Sequence, residues 1–290
     1  MRIGALEAGG TKMVCAIGNE NSNIIERLQI PTETPAITVP LLLDFYRDKN
    51  IDALGIGSFG PIDPDKGSKA YGCITSTPKL AWRNYNIVNA FHEALNVPIG
   101  FDTDVNGAAL GETAWGSLFG CDVGLYITIG TGIGVGVCIE GKPLHGLIHP
   151  EAGHIILSRR ANDDYSGICP YHSNCFEGLA SGPAIEHRWG KKAYELKSES
   201  EAWELEAYYI AQAVANYILC YSPNRIVLGG GVMHQEQLFP IIKSKVKEYL
   251  NGYINSKQIL DDIDHYIVPP LLGDDAGIKG ALRLGYLAAI

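Results

Sequence analysis

The 290-residue sequence predicts an α/β fold in which one lobe plan is used twice, leaving a cleft between two lobes. Three observations carry that prediction. A hydrophobic content of 46% is enough to fill two cores. Residues 1–117 and 118–290 each run through strand, Gly turn, strand, strand, helix, strand, helix, strand and helix. "FDTDVNGAALGE" and "LGDDAGIKGALRLG" each pass from a strand end through acidic residues into a small-residue helix, which points to an internal duplication.

The elements follow from local pattern. "IGALEA" is an apolar strand, "GGTK" a Gly turn, "MVCAIG" a second strand, and "IIERLQI" alternates as a third. A helix is expected near 40–48, then a strand "IDALGIGSFGP". Another helix covers "NIVNAFHEAL", where Ile87, Ala90, Phe91, Ala94 and Leu95 share one face. The strand "VPIGFDTD" and the helix "VNGAALGETAW" close the first lobe. In the second, "DVGLYITI", "GTG" and "IGVGVCI" repeat the strand, turn and strand, and "LHGLI" is expected to be a short third strand. After an insertion at about 150–180 come a helix near 201–221, a strand "RIVLGGG", a helix near 236–250 and a strand "HYIVPPLL". The last helix, 276–289, is expected to pack back on the N-terminal lobe.

Composition narrows the function classes. A net charge of −9 with scattered basic residues offers no electrostatic footprint for nucleic acid, so a small molecule is the expected partner. No apolar run is long enough for a membrane span and "MRIGALEAGG" lacks a signal-peptide profile, so no membrane partner and a cytoplasmic location are expected. Of the seven cysteines, Cys15, Cys73, Cys138 and Cys220 lie in apolar stretches, where a reduced thiol packs as a small hydrophobe.

The two Gly turns suggest phosphate. A Gly turn between strands exposes N–H groups to anionic oxygen. "AGGTK", with Gly9, Gly10, Thr11 and Lys12, and "GTGIG", with Thr131 and Gly132, could together clasp a nucleotide's phosphate chain, although each turn alone reads equally as a tight hairpin. Neither fits the P-loop or the dinucleotide fingerprint. "VLGGGVM" offers Gly229, Gly230 and Gly231 as a flat surface for a base and ribose, or simply as a tight strand-to-helix connection.

If the chemistry is phosphoryl transfer, it needs positioning and a base for the attacking hydroxyl. Asp104 stands at a strand end entering a helix, and a helix N-cap is its other reading. Asp102 is expected on the opposite face. Asp274 and Asp275 hold the matching place in the second lobe. Glu7 could orient Mg2+ through water.

Cys169, His172 and Cys175 follow at three-residue intervals and supply three of the four ligands of a closed tetrahedral zinc site. His154 is the economical fourth, with His145, His149 and His187 as competitors; a Cys169–Cys175 disulfide is the alternative. Four protein ligands leave no open position, so such a zinc is structural. Glu151 and Glu177 flank His154 and Cys175, and carboxylates held that way can bind neighbouring hydroxyls of a polyol.

These residues resemble a known group. "ALEAGGTKM", "DTDVNGAALGE", "TIGTGIGVG", "PEAGH", the Cys/His clip before "FEG", and "VLGGGVM" occur in the order and spacing of the ROK family of sugar kinases. Glu7, Thr103 and the Cys-x2-His-x2-Cys clip make the chain most similar to the zinc-containing fructokinases of bacteria. The resemblance implies a duplicated actin/hexokinase-like (ribonuclease H-like) fold, ATP, Mg2+ and Zn2+ as cofactors, and a homodimer. It implies phosphorylation of D-fructose at O6, with mannose, glucose or an N-acetylated amino sugar as alternative substrates; a non-catalytic sugar-binding regulator is the alternative class. The roles implied are Asp104 as general base, Glu151, His154, Glu177, Thr103 and Asn84 around the sugar, with Trp82 nearby. Thr131 and Gly132 would hold ATP phosphates, and Pro183 with Gly229, Gly230, Gly231, Val232 and Met233 would contact the nucleotide. His154 doubles as a zinc ligand beside Cys169, His172 and Cys175.

Overall fold

The computed structural model describes residues 1–196 and 200–290. Two compact units can be distinguished: Met1–Phe119 with Gly136–Pro150 and Leu272–Ile290, and Gly120–Val135 with Glu151–Leu271. Among the described residues no helix is long and apolar enough to cross a membrane.

In chain order the first unit opens with β1 (Ile3–Ala8), β2 (Lys12–Gly18), β3 (Ile24–Pro31), α1 (Pro35–Tyr46) and β4 (Ala53–Ser58). A small hairpin, β5 (Cys73–Ile74) with β6 (Tyr85–Asn86), precedes α2 (Ile87–Leu95), β7 (Ile99–Thr103) and α3 (Asp104–Trp115). The sheet order is β3-β2-β1-β4-β7, antiparallel from β3 to β1 and parallel from β1 to β7. Interior strands of such a sheet are covered on both faces, which accounts for the nearly unbroken burial along β1 and β4, whereas edge strand β3 alternates between half-buried and exposed residues. The two-residue period of β1 then sorts its side chains. Leu6 and Ala8 join Met13, Leu42, Tyr46, Trp82 and Phe91 on one face, and Ile3 and Ala5 pack on the other. Helix α2 starts where the Asn86 side chain accepts the Asn89 N–H and ends at Asn96 in the left-handed conformation.

The second unit begins with β8 (Val123–Ile129) and β9 (Ile133–Ile139), and β9 continues into the first unit, where β10 (Lys142–Pro143) pairs with its end. The segment 155–175 carries no long element. Then follow α4 (Phe176–Ala180), α5 (Gly182–Trp189), α6 (Ser200–Tyr221), β11 (Arg225–Gly229), α7 (Leu238–Leu250), α8 (Lys257–Leu260), α9 (Ile263–Tyr266) and β12 (Ile267–Val268). Among the described residues the second sheet has the order β10-β9-β8-β11-β12, the order of the first sheet repeated, with β11 parallel to both β8 and β12. Side-chain bonds tie the long segment to α5 and α6: the Asp163 carboxylate accepts from Arg188 and from the Tyr209 hydroxyl, and the Arg188 guanidinium lies 4.1 Å above the Tyr165 ring.

Three expectations need correction. The third strand of the second lobe is Lys142–Pro143, not "LHGLI", where Gly146 N–H instead turns onto the Ile148 carbonyl. "HYIVPPLL" contributes only Ile267–Val268 to the sheet, because Pro269 and Pro270 have no N–H for a ladder. The first helix starts at Pro35 and keeps Pro40 inside it, five residues earlier than expected.

The closing helix α10 (Ala276–Ala289) belongs to the first unit and lies on its sheet and along α3. The approach is backbone to backbone. A Cβ at Gly55 would lie 1.8 Å from the Ala281 carbonyl oxygen, one at Gly100 2.1 Å from that of Leu284, and one at Gly280 1.8 Å from that of Gly107. No side chain fits at these positions. Gly280→Ala is therefore expected to destabilise the protein by about 1–3 kcal/mol, the usual cost of overpacking, read as a lower denaturant midpoint with an unchanged slope.

Candidate active site

In the first unit, the turn after β1 is closed by Gly9 N–H donating to the Lys12 carbonyl at 3.0 Å, and Thr32 anchors it by donating its hydroxyl to the Gly9 carbonyl at 2.7 Å. A Cβ at Gly9 would be 2.6 Å from the Lys12 oxygen, so the turn's tightness itself requires glycine. Thr11 and Lys12 stand exposed on its open side. Glu7, the penultimate residue of β1, points its carboxyl at the start of α10, where a Cβ on Gly277 would come within 2.5 Å of it. Burial, and then repulsion by Asp104, raise the Glu7 pKa to about 7, against the pull of Lys12 and Arg27.

Asp104 is the first residue of α3, but it is not the cap. Thr103 takes that role, its hydroxyl accepting the Asn106 N–H at 3.1 Å. One Asp104 oxygen accepts the adjacent Val105 N–H at 2.8 Å, and burial moves its carboxyl above the ordinary aspartate range. The capping alternative for Asp104 is thereby answered, and Thr103, 4% exposed, has its hydroxyl engaged.

Asp102 is buried and saturated. Its Oδ1 accepts from Thr103 N–H and from the Asn106 side chain, both at 2.7 Å, while His145 Nε2 lies 3.0 Å from Oδ2. That partnership raises the His145 pKa. His149 is buried too, and its Nε2 accepts the Ile62 N–H at 3.1 Å; burial holds its pKa below the ordinary value. These bonds brace the β7–α3 corner and its neighbouring loop, and sequence reading missed them because nothing in the spacing pairs residue 102 with 145 or 62 with 149. Asn84 is exposed in the left-handed region, φ 58°, a conformation asparagine tolerates. Trp82 is instead a core residue, 1% exposed, with its indole N–H on the Glu33 carbonyl at 2.7 Å.

In the second unit, three glycine segments meet through their backbones. Gly130 N–H donates to the Gly132 carbonyl at 2.9 Å, closing the turn between β8 and β9, and the Gly130 carbonyl accepts the Gly182 N–H at 2.7 Å. Gly230, at φ 88°, would bring a Cβ 2.5 Å from the Ile129 oxygen. Thr131 is exposed, Pro183 opens α5 and is half-buried, and Gly229 and Gly231 flank Gly230. Val232 and Met233 turn their side chains into the core, which leaves only their backbone for a ligand.

His154, Cys169, His172 and Cys175 converge, with one ligand atom from each all within 4.8 Å of one another. Both thiols are free. Cys169 Sγ is 3.7 Å from His154 Nδ1 and 3.6 Å from His172 Nδ1, and Cys175 Sγ is 3.6 Å from His154 Nδ1. A tetrahedral zinc bonded at about 2.3 Å to sulfur and about 2.0–2.1 Å to nitrogen sets that edge at about 3.6 Å. The residues present therefore fit a closed zinc site. His187 lies against the Tyr165 ring, 5.6 Å between centroids, and His145 and His149 have the partners described above, so His154 completes the set. Cys175 also caps α4, its sulfur accepting the Gly178 N–H at 3.3 Å, which orients Glu177 in the first turn. Glu177 Oε2 accepts the Ile133 N–H at 2.9 Å, and Oε1 lies 3.8 Å from His154 Nε2. Glu151, exposed, leads the short turn that carries His154.

A model of the ROK family matches residues 3–286. The chain is 53% identical over 286 residues to a Bacillus subtilis (strain 168) protein named "Putative fructokinase", covering 99% of this chain and 96% of that one. It is 43% identical over 288 residues to a fructokinase of Pediococcus pentosaceus, with 99% of each covered. Its fold resembles the crystal structure of a ROK hexokinase from Thermus thermophilus, with a TM-score of 0.79, 25% identity, and 99% of this chain and 98% of that one covered.

The Glu7 environment generates a pH prediction. A carboxyl whose folded pKa lies above its unfolded one penalises folding once it must ionise. Glu7→Gln removes that penalty, so in metal-free buffer the variant should gain stability over the parent as pH rises from about 4.5 to about 7 and keep a constant margin above. Urea midpoints of both proteins across this range check the sign.

Proposed function

From the premise that the chain belongs to the ROK family, we propose that it is an ATP-dependent fructokinase that phosphorylates D-fructose at O6. The observation that carries the reading is full-length identity of 53% and 43% to proteins named as fructokinases. It is joined by a half-buried carboxyl at a helix N-terminus that another residue caps.

In this reading Asp104 accepts the proton of the fructose 6-hydroxyl as that oxygen bonds to the γ-phosphorus. The bond from the γ-phosphorus to the bridging oxygen breaks and ADP leaves with the electron pair. Burial brings the Asp104 pKa toward the working pH, which suits a base, and the helix N-terminus stabilises its ionised form. Glu151, His154 and Glu177 hold sugar hydroxyls, with Thr103 and Asn84 on the sugar side. Gly9, Gly10, Thr11 and Lys12, together with Thr131 and Gly132, serve the phosphates. Pro183 and the backbone of 229–233 take the base and ribose. Mg2+, when bound with ATP, neutralises phosphate charge, and Glu7 is the residue proposed for its water shell. Zinc is proposed at His154, Cys169, His172 and Cys175, where it supplies a clamp with no open coordination position. The enzyme is proposed to be cytosolic and homodimeric, with sugar and ATP as its partners and neither nucleic acid nor membrane.

Asp104→Asn should lower kcat by about 10²–10⁴-fold, the range of a general base, with fructose Kd within about threefold of the parent; near-parental turnover would remove the assigned role. Cys175→Ser should abolish stoichiometric zinc in elemental analysis and lower kcat/KM for fructose by about 10–100-fold, as loss of site-orienting groups does. Across fructose, mannose, glucose and N-acetylated sugars, kcat/KM should be highest for fructose, and a larger value for another sugar would replace the substrate.

A further inference from the structure

The metal cluster and the Gly130–Ile133 turn share a residue. His154 presents Nδ1 to both cysteine sulfurs, at 3.7 and 3.6 Å, so its Nε2 faces away from them. A histidine that ligates through Nδ1 carries its proton on Nε2, and the group within ion-pair range of Nε2 is Glu177 Oε1, at 3.8 Å. The other Glu177 oxygen accepts the Ile133 N–H at 2.9 Å. Ile133 is 5% exposed, so this amide depends on a protein acceptor.

The surroundings are built to this contact. A Cβ at Gly132 would lie 2.7 Å from Glu177 Oε2, so a side chain there would push the carboxylate off this position. On the other side of the same peptide strand, a Cβ at Gly153 would be 1.8 Å from the Ile133 carbonyl oxygen, so the turn preceding His154 packs directly on the β9 backbone. Cys175, through its cap on Gly178 N–H, fixes the helical turn from which Glu177 projects. Two residues of the insertion thus bracket one residue of the turn, and both are set by metal-ligand neighbours.

We propose that Glu177 is a positioning residue for the Gly130–Ile133 turn, transmitting the order of the Cys/His metal cluster to the backbone that receives the nucleotide's phosphates. Metal occupancy then governs nucleotide affinity through the path cluster, His154, Glu177 and Ile133 N–H. This is separate from any contact Glu177 makes with sugar, and it rests on the kinase reading above only for the identity of the ligand as a nucleoside triphosphate.

The test omits sugar. Glu177→Ala, Glu177→Gln and Gly132→Ala variants and chelator-stripped parent are compared with zinc-loaded parent in two measurements: titration calorimetry with a nonhydrolysable ATP analogue and Mg2+, and hydrogen exchange of the Ile133 amide. Loss of a charge-assisted bond to a buried amide corresponds to about a tenfold or greater rise in Kd. That rise, with faster Ile133 exchange, is expected for Glu177→Ala, for Gly132→Ala and for the stripped protein. Glu177→Gln retains an acceptor and should recover most of both. Exchange of the α6 and β11 amides, in the same unit as Glu177, at parental rates reports that the fold is intact. Parental Kd or parental Ile133 exchange in Glu177→Ala overturns the positioning role. Parental values in the stripped protein overturn the metal's part in it. A parent that binds no nucleotide removes the kinase reading instead, while the Ile133 exchange of the variants still decides the positioning role.

Discussion

A helix can lie directly on strand backbones only where the facing residues lack Cβ atoms, and in the first unit α10 does so at Gly55 of β4 and Gly100 of β7. The contact sets the level of α10 on the sheet and, through Gly280 against Gly107, the line of α3 beside it. Close packing leaves little freedom for either helix to slide. Asp104 therefore begins α3 at a fixed point above β7, and Gly277 at the start of α10 leaves just enough room for the Glu7 carboxyl. The electrostatics of these acids follow from that packing, since it is burial beside one another that raises the pKa of Glu7.

Three successive residues at the β7–α3 corner divide the work by their hydrogen bonds. Asp102 is saturated by Thr103 N–H, Asn106 and His145, Thr103 caps the helix, and Asp104 uses one oxygen on its neighbour's N–H. A buried polar network of this sort is costly to leave half-made, and once satisfied it holds a single arrangement. The side chain whose chemistry is wanted is the one that neither the cap nor the network consumes. In the second unit the same economy holds at Glu177, which gives one oxygen to the Ile133 amide and leaves the other toward His154.

Much of this was legible because it repeats or keeps a local spacing. The order of elements along each lobe, the two Gly turns, and the triplet of Cys169, His172 and Cys175 are short-range patterns that period and turn chemistry expose. His154 was reachable as the fourth member of the cluster because a closed tetrahedral site takes four donors. The errors lie where a long-range or a missing bond decided. Pro269 and Pro270 cut β12 short. Trp82 and Asn84 stand two positions apart in one loop, yet the first is core and the second exposed, and the difference lies in the Glu33 carbonyl that receives the indole, a residue 49 positions away.

By itself the sequence determined the duplicated α/β plan, the glycine-bearing turns, the zinc-type ligand set and the family, since each is written in residue type and spacing along the chain. Only the tertiary structure decided that Thr103 caps α3, that Asp102 is saturated while Asp104 retains an oxygen, and that Glu177 reaches the Ile133 amide 44 positions away. The reason is physical. A side chain's availability for chemistry depends on what hydrogen-bonds to it and how deeply it is buried, and both are set by residues that meet only when the chain is folded.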